Sequence, residues 1–170
     1  MKQVLCFLSV FTIAFSSLGK DCPTERAKGL WGTFHGTLLA LDPGNQPTTR
    51  QNVSEKHVAD GCDKFSFDID YTDPTSGQVM RTVAFGAEWD ETANLFTLKG
   101  DHFEGTLKIL ATGTYATSFQ TWFGNDPAHC DETISITNQD TQLIRTVHCF
   151  AGNVGGRSLG VRVVQGSRFP

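Results

Sequence analysis

Asp63-Lys64-Phe65-Ser66-Phe67-Asp68-Ile69-Asp70-Tyr71-Thr72 alternates between polar and apolar residues along nearly its whole length. Successive side chains of a β-strand point to opposite faces. Phe65, Phe67, Ile69 and Tyr71 therefore share one face, and Lys64, Ser66, Asp68, Asp70 and Thr72 share the other. This is the pattern of an antiparallel strand with one face buried and one in water. The same period returns in Val83, Phe85, Ala87 and Trp89, then in Phe103, Leu107 and Ile109, then in Tyr115 and Phe119. Ile134 and Ile136, and then Leu159, Val161 and Val163, complete the apolar side.

Gly, Asn, Asp, Ser and Pro punctuate these runs, most clearly at Asp73-Pro74-Thr75-Ser76-Gly77, with Pro early and Gly late in the turn. The spacing predicts strands over 30–41, 48–58, 63–72, 78–89, 94–99, 103–111, 113–123, 132–138, 142–150 and 158–165. Short connections make consecutive strands antiparallel neighbours. Apart from one possible turn at Thr24–Lys28, no stretch has sustained helical periodicity. The expected fold class is all-β: an antiparallel up-and-down β-barrel of about eight to ten strands. Two stacked sheets are the other way to bury one face of every strand. Closure has the merit of removing open edges.

Residues 1–19 have the features of a secretory leader. Lys2 supplies a positive start, Val4–Phe15 an apolar run too short to span a bilayer, and Ser17-Leu18-Gly19 the small residues of a cleavage site. Residues 20–170 then form a single barrel domain, and the expected location is extracellular. The net charge of −4 and the scattered basic residues speak against nucleic acid as a partner and against strong attraction to anionic membranes. No later apolar run is long enough for membrane insertion.

Cys6 leaves with the leader, so four of the five cysteines remain, an even number suited to two disulfides in an exported chain. Ile134–Thr137 and Leu143–Val147 flank Asn138-Gln139-Asp140-Thr141, which reads as a hairpin turn. With Gln139-Asp140 at the tip, Cys130 and Cys149 stand directly opposite one another, about 5.5 Å apart at Cα and within disulfide range. Cys22–Cys62 follows by elimination and ties the N-terminal segment to the barrel wall.

Gly29-Leu30-Trp31, with Gly32 and Gly36 close behind, resembles the first-strand signature of the calycin superfamily, and the leader, disulfides and meander are similar to those of lipocalins. The resemblance implies that Trp31 closes the base of the barrel and stabilises it, that a late Arg (Arg162 or Arg168) packs on the Trp, and that Asp42–Pro47 forms a loop at the open mouth. It also implies a small hydrophobic or amphipathic ligand. No Thr-Asp-Tyr motif follows in the later half, and no C-terminal helical pattern follows the last strand.

Phe65, Phe67, Phe85, Trp89, Phe103, Tyr115 and Phe119 are the candidate ligand-binding wall, since small-molecule sites are concave and lined by apolar and aromatic groups. The same residues would equally serve as a solid core, and the sequence leaves hollow against filled open. Arg81 and Gln120 are candidate polar groups for orienting a ligand. A metal site from His129-Cys130 and His148-Cys149 is not expected, because neighbouring residues of a strand face opposite ways. No cofactor is expected either. Glu88, Asp68, Asp70 and Asp90 belong to the solvated face. Without a nucleophile elbow, His-Glu-x-x-His or phosphate loop, the sequence leans against an enzyme without excluding one.

Asn52-Val53-Ser54 is an N-glycosylation sequon. The expected function is that of a secreted, monomeric carrier of a small hydrophobic molecule. The alternatives are an interaction protein that meets a partner protein through its loops, or a barrel isomerase or cyclase.

Overall fold

The structure is a computed structural model that describes residues 22–123, 126–152 and 156–169. The leader read over 1–19 and the tip of the Gly-rich link, 153–155, lie outside the described residues. Ten strands follow a short helical entry: β1 Gly32–Leu41, β2 Pro47–Asp60, β3 Lys64–Thr72, β4 Val79–Asp90, β5 Leu95–Gly100, β6 Phe103–Ala111, β7 Thr114–Phe123, β8 Asp126–Thr137, β9 Gln142–Ala151 and β10 Ser158–Arg168. They pair antiparallel in chain order, and β1 pairs with β10 to close the barrel.

Phe65, Phe67 and Ile69 turn inward and are buried, while Lys64 and Asp68 stand exposed outside. Cys130 pairs with Cys149 as the hairpin register requires. Both expected disulfides are present, Cys22–Cys62 and Cys130–Cys149. The second brings its Cα atoms to 4.1 Å, closer than the expected spacing and near that of a non-hydrogen-bonded pair. The turn between β8 and β9 carries Asn138, Gln139 and Asp140 all at positive φ.

Several boundaries differ from expectation, and those of the first, eighth and tenth strands bear on the site. The first strand begins at Gly32 because Lys28–Leu30 form a single 3₁₀ turn that buries Leu30 completely. A four-residue helix, α1 Pro23–Arg26, precedes it. The eighth strand starts six residues earlier than expected, at Asp126 rather than 132, because Ala128 and Cys130 continue its buried face. The tenth extends to Arg168, which brings that side chain to the base.

The base is the end at Trp31. The Trp31 indole N–H donates to the Thr24 carbonyl (3.0 Å), and its ring packs 5.2 Å from Phe65. Arg168 takes part in the closure differently from the expectation. It donates to the Gly29 carbonyl (2.7 Å) and lies over Phe34 rather than Trp31. Gly32, at φ 128°, faces that guanidinium, and a side chain there would crowd it. Arg162, the other candidate, lies toward the opposite end, where it lines the mouth.

Candidate functional site

The lower half of the barrel is solid. Leu30, Phe34, Phe96, Leu107, Tyr115, Ile134 and Leu143 are at most 1% exposed. An aromatic ladder climbs from this floor, Trp31–Phe65–Phe67–Phe85–Phe103–Phe119, with consecutive ring centroids 4.5–5.2 Å apart. Five of the seven expected wall residues thus belong to one ladder. Its upper members, Phe85, Phe103 and Phe119, line a cavity. Trp89 packs on Phe96 beneath Arg26, and Tyr115 lies at the base near Gly29. Burial, reinforced by Asp140, pushes the Tyr115 hydroxyl up to about 12.

Inside the barrel, across from the ladder, runs a buried chain of charges absent from the sequence reading. Glu55 and His57 on β2, Glu132 on β8 and Arg145 on β9 all point inward. Arg145 donates to Glu55 and to Glu132, each at 2.6 Å. Thr117 donates to the second oxygen of Glu132 (2.7 Å). His57 meets the Leu30 carbonyl at Nδ1 (2.8 Å) and Glu55 at Nε2 (3.0 Å). A carbonyl and an ionised carboxylate only accept hydrogen bonds. His57 thus sits between two acceptors, and its ring stacks on Phe67 at 3.9 Å. Burial pushes the Glu55 carboxyl up, but Arg145 and then His57 more than offset this and hold it below its ordinary value. Burial likewise disfavours charge on Arg145, yet Glu132 and Glu55 raise it well above the ordinary guanidinium range. In the chain His57–Glu55–Arg145–Glu132 the guanidinium is thus held between two carboxylates, paired as buried ions must be.

Above this chain two arginines face the mouth. Arg81 and Arg162 line the mouth with Tyr71, Leu38, Ala40, Thr49 and Gln51 around a basin of about 260 Å³. Burial lowers Arg162, and the like charge of Arg81 adds to this. Burial also pushes the Tyr71 hydroxyl up. A crevice of about 60 Å³ leads down from the basin between Phe85, Phe103 and Phe119 on one side and Glu132 and Arg145 on the other. Gln120 is not part of it: strand alternation places it exposed on the outer face, opposite Glu104.

The wall itself is lower on one side. β4 pairs with β5 only from Phe85 downward, and β6 pairs with β7 only up to Gln120. Val79–Ala84 and Thr121–Phe123 thus rise above the β5–β6 hairpin as two unpaired edges. Arg81 is exposed and Phe103 and Phe119 half-buried although all three face inward. His102 at the hairpin tip lies 5.9 Å from Trp122 across the gap. The mouth therefore opens sideways between β4 and β7, at the end of the barrel away from Trp31 that also carries the Asp42–Pro47 loop.

The strands thus form a closed, ten-stranded antiparallel meander with a sealed base and an open mouth, the form that the resemblance to calycins implies. No family model matches this chain, and no curated protein matches it. Among solved structures, the chain is similar to a protein of unknown function of the DUF3598 family from Nostoc punctiforme, with TM-score 0.64 and 14% identity over 84% of this chain. This chain spans about half of that longer one (48%). It is also similar to the S-type phycobiliprotein lyase CPES from Guillardia theta, with TM-score 0.60 and 13% identity over 86% of this chain and 92% of that one. A third similar structure is Rv2717c from M. tuberculosis, with TM-score 0.52 and 9% identity over 87% and 98% of the two chains. At these identities the likeness establishes the fold alone.

Proposed function

We propose that this barrel is an exported carrier that holds a small amphipathic molecule bearing an acidic group. The supporting observation is the make-up of the mouth. The ring stack Phe85–Phe103–Phe119 offers an apolar surface, and Arg81 and Arg162 stand beside it at the mouth. Burying the ligand's apolar part against the rings contributes about 25 cal/mol per Å² before ordering costs. The acid would meet the exposed Arg81 guanidinium, with Arg162 and the Tyr71 hydroxyl lining the same basin. Because the crevice below is small, Phe103 and Phe119, both half-buried, shift to admit the apolar end. The two disulfides and the apolar leader support export.

The test is calorimetric titration with matched pairs that share one apolar body, a long-chain fatty acid against its alcohol and retinoic acid against retinol. The carrier reading expects an acid to bind about tenfold or more tighter than its alcohol, and Arg81→Gln to abolish that preference. Failure of every acid to bind, or equal affinity for acid and alcohol, would remove this reading.

A further inference from the structure

On the side of the barrel away from the β5–β6 gap, the outer face of β1 and β10 is hollow rather than convex. Gly36 and Gly166 sit where the two strands meet. A Cβ on Gly36 would collide with the Gln165 backbone, so the strands approach there as only glycine permits. The trough this leaves holds about 660 Å³, within the range of small-molecule sites. His35, Thr37, Leu39, Arg50, Gln142, Val163, Gln165 and Ser167 line it, and none of them is acidic. Leu39 and Val163 provide an aliphatic floor, Val163 facing outward against expectation because Val164 is the inward, buried residue of β10, and two amides, two hydroxyls and a guanidinium provide the rim.

Asn52-Val53-Ser54, the one match to the acceptor sequon in the chain, stands beside this trough, with Asn52 paired to its lining residue Thr37. Asn52 is exposed on the outer face of β2, beside Arg50 and directly opposite Thr37, which in turn pairs with Gln165. With strands about 4.8 Å apart, Asn52, Thr37 and Gln165 form a row about 10 Å long across the face. That row has the span of a disaccharide. We infer that Asn52 carries an N-linked glycan whose first two N-acetylglucosamine residues lie in the β1–β10 trough. Each sugar has an apolar ring face for Leu39 and Val163. Its acetamido and hydroxyl groups match Thr37, Gln165, Gln142 and Ser167. In the ring of strands β1 and β10 lie opposite β5 and β6, so a glycan seated there leaves the mouth clear.

The full chain secreted from eukaryotic cells tests this directly. Its intact mass should exceed the polypeptide mass by one glycan, and Asn52→Gln should remove the whole excess. Release by peptide-N-glycosidase from the folded protein should be slow. It should accelerate several-fold in the outward-facing double variant Leu39→Asp, Gln165→Ala, while all forms are released equally fast once denatured and reduced. Circular dichroism confirms that the variants remain folded. A secreted protein without glycan mass overturns the modification. A native release rate that the groove variant leaves unchanged overturns the seating of the glycan in the trough.

Discussion

The two ends of this barrel are built from opposite materials. At the base, side chains from all around the ring meet in a dry apolar plug capped by Trp31 and the 3₁₀ turn. Toward the mouth the same inward positions carry Thr117, Thr121, Tyr71, Arg81 and Arg162, and the wall is cut away beside them. The ion chain His57–Glu55–Arg145–Glu132 is the boundary. It presents hydrogen-bonded ions to the mouth while its His57 end packs among Phe34 and Phe67 of the plug. The difference teaches that a barrel of ten strands need not be hollow throughout. The lower half specifies the fold, and the upper half is free to carry chemistry.

The largest expected effect comes from breaking the boundary. Arg145→Ala leaves Glu55 and Glu132 buried without their partner and should cost about 3–5 kcal/mol in denaturant unfolding. Loss of less than 1 kcal/mol would mean the two halves are not joined there. Next comes the plug. Phe67→Ala should cost about 3–4 kcal/mol, whereas Phe103→Ala, half-buried at the mouth, should cost much less. Equal costs would erase the distinction between the halves.

A smaller effect is the acid response of the boundary. The Glu55 carboxyl is held below its ordinary value in the folded protein, so the unfolded chain binds its proton first. The associated stability is fully present above the unfolded value and is lost as pH falls through the folded one. Urea midpoints should therefore decline below about pH 4.5, and Glu55→Gln should flatten part of that decline. An unchanged slope would show that Glu55 gains nothing from Arg145 and His57. Smallest of all is the effect of Arg81→Gln on folding. It should stay within about 0.5 kcal/mol, because Arg81 is exposed, while the preference for acidic ligands is lost.

Much of the wall was legible in the sequence because its signals are local. The alternation of 63–72 depends only on strand geometry, and the Cys130–Cys149 register depends only on a neighbouring turn. The ion chain was hidden because the residues around its members do not show which face is turned inward. Val53-Ser54-Glu55-Lys56-His57 offers no apolar run to say which carboxylate faces in, and Leu143-Ile144-Arg145-Thr146-Val147 is apolar on both sides. One signal was available. Ile134 and Ile136 were read as inward, and Glu132 and Cys130 lie two and four residues before Ile134 on the same face. The sideways mouth depends on where the β5–β6 hairpin stops relative to β4 and β7, a non-local match that no single stretch encodes. Gln120 failed as a pocket residue for a simpler reason: it is one step out of phase with Phe119 and Thr121.

The division into a sealed base and a receptive mouth is most directly tested by mapping backbone amide shifts by NMR as an acidic amphiphile is added. The account predicts shifts at Tyr71, Arg81, Phe103, Phe119 and Arg162, with Trp31, Phe65, Trp89 and Tyr115 unmoved. Shifts centred on the base residues, or an unperturbed mouth at saturating ligand, would contradict it.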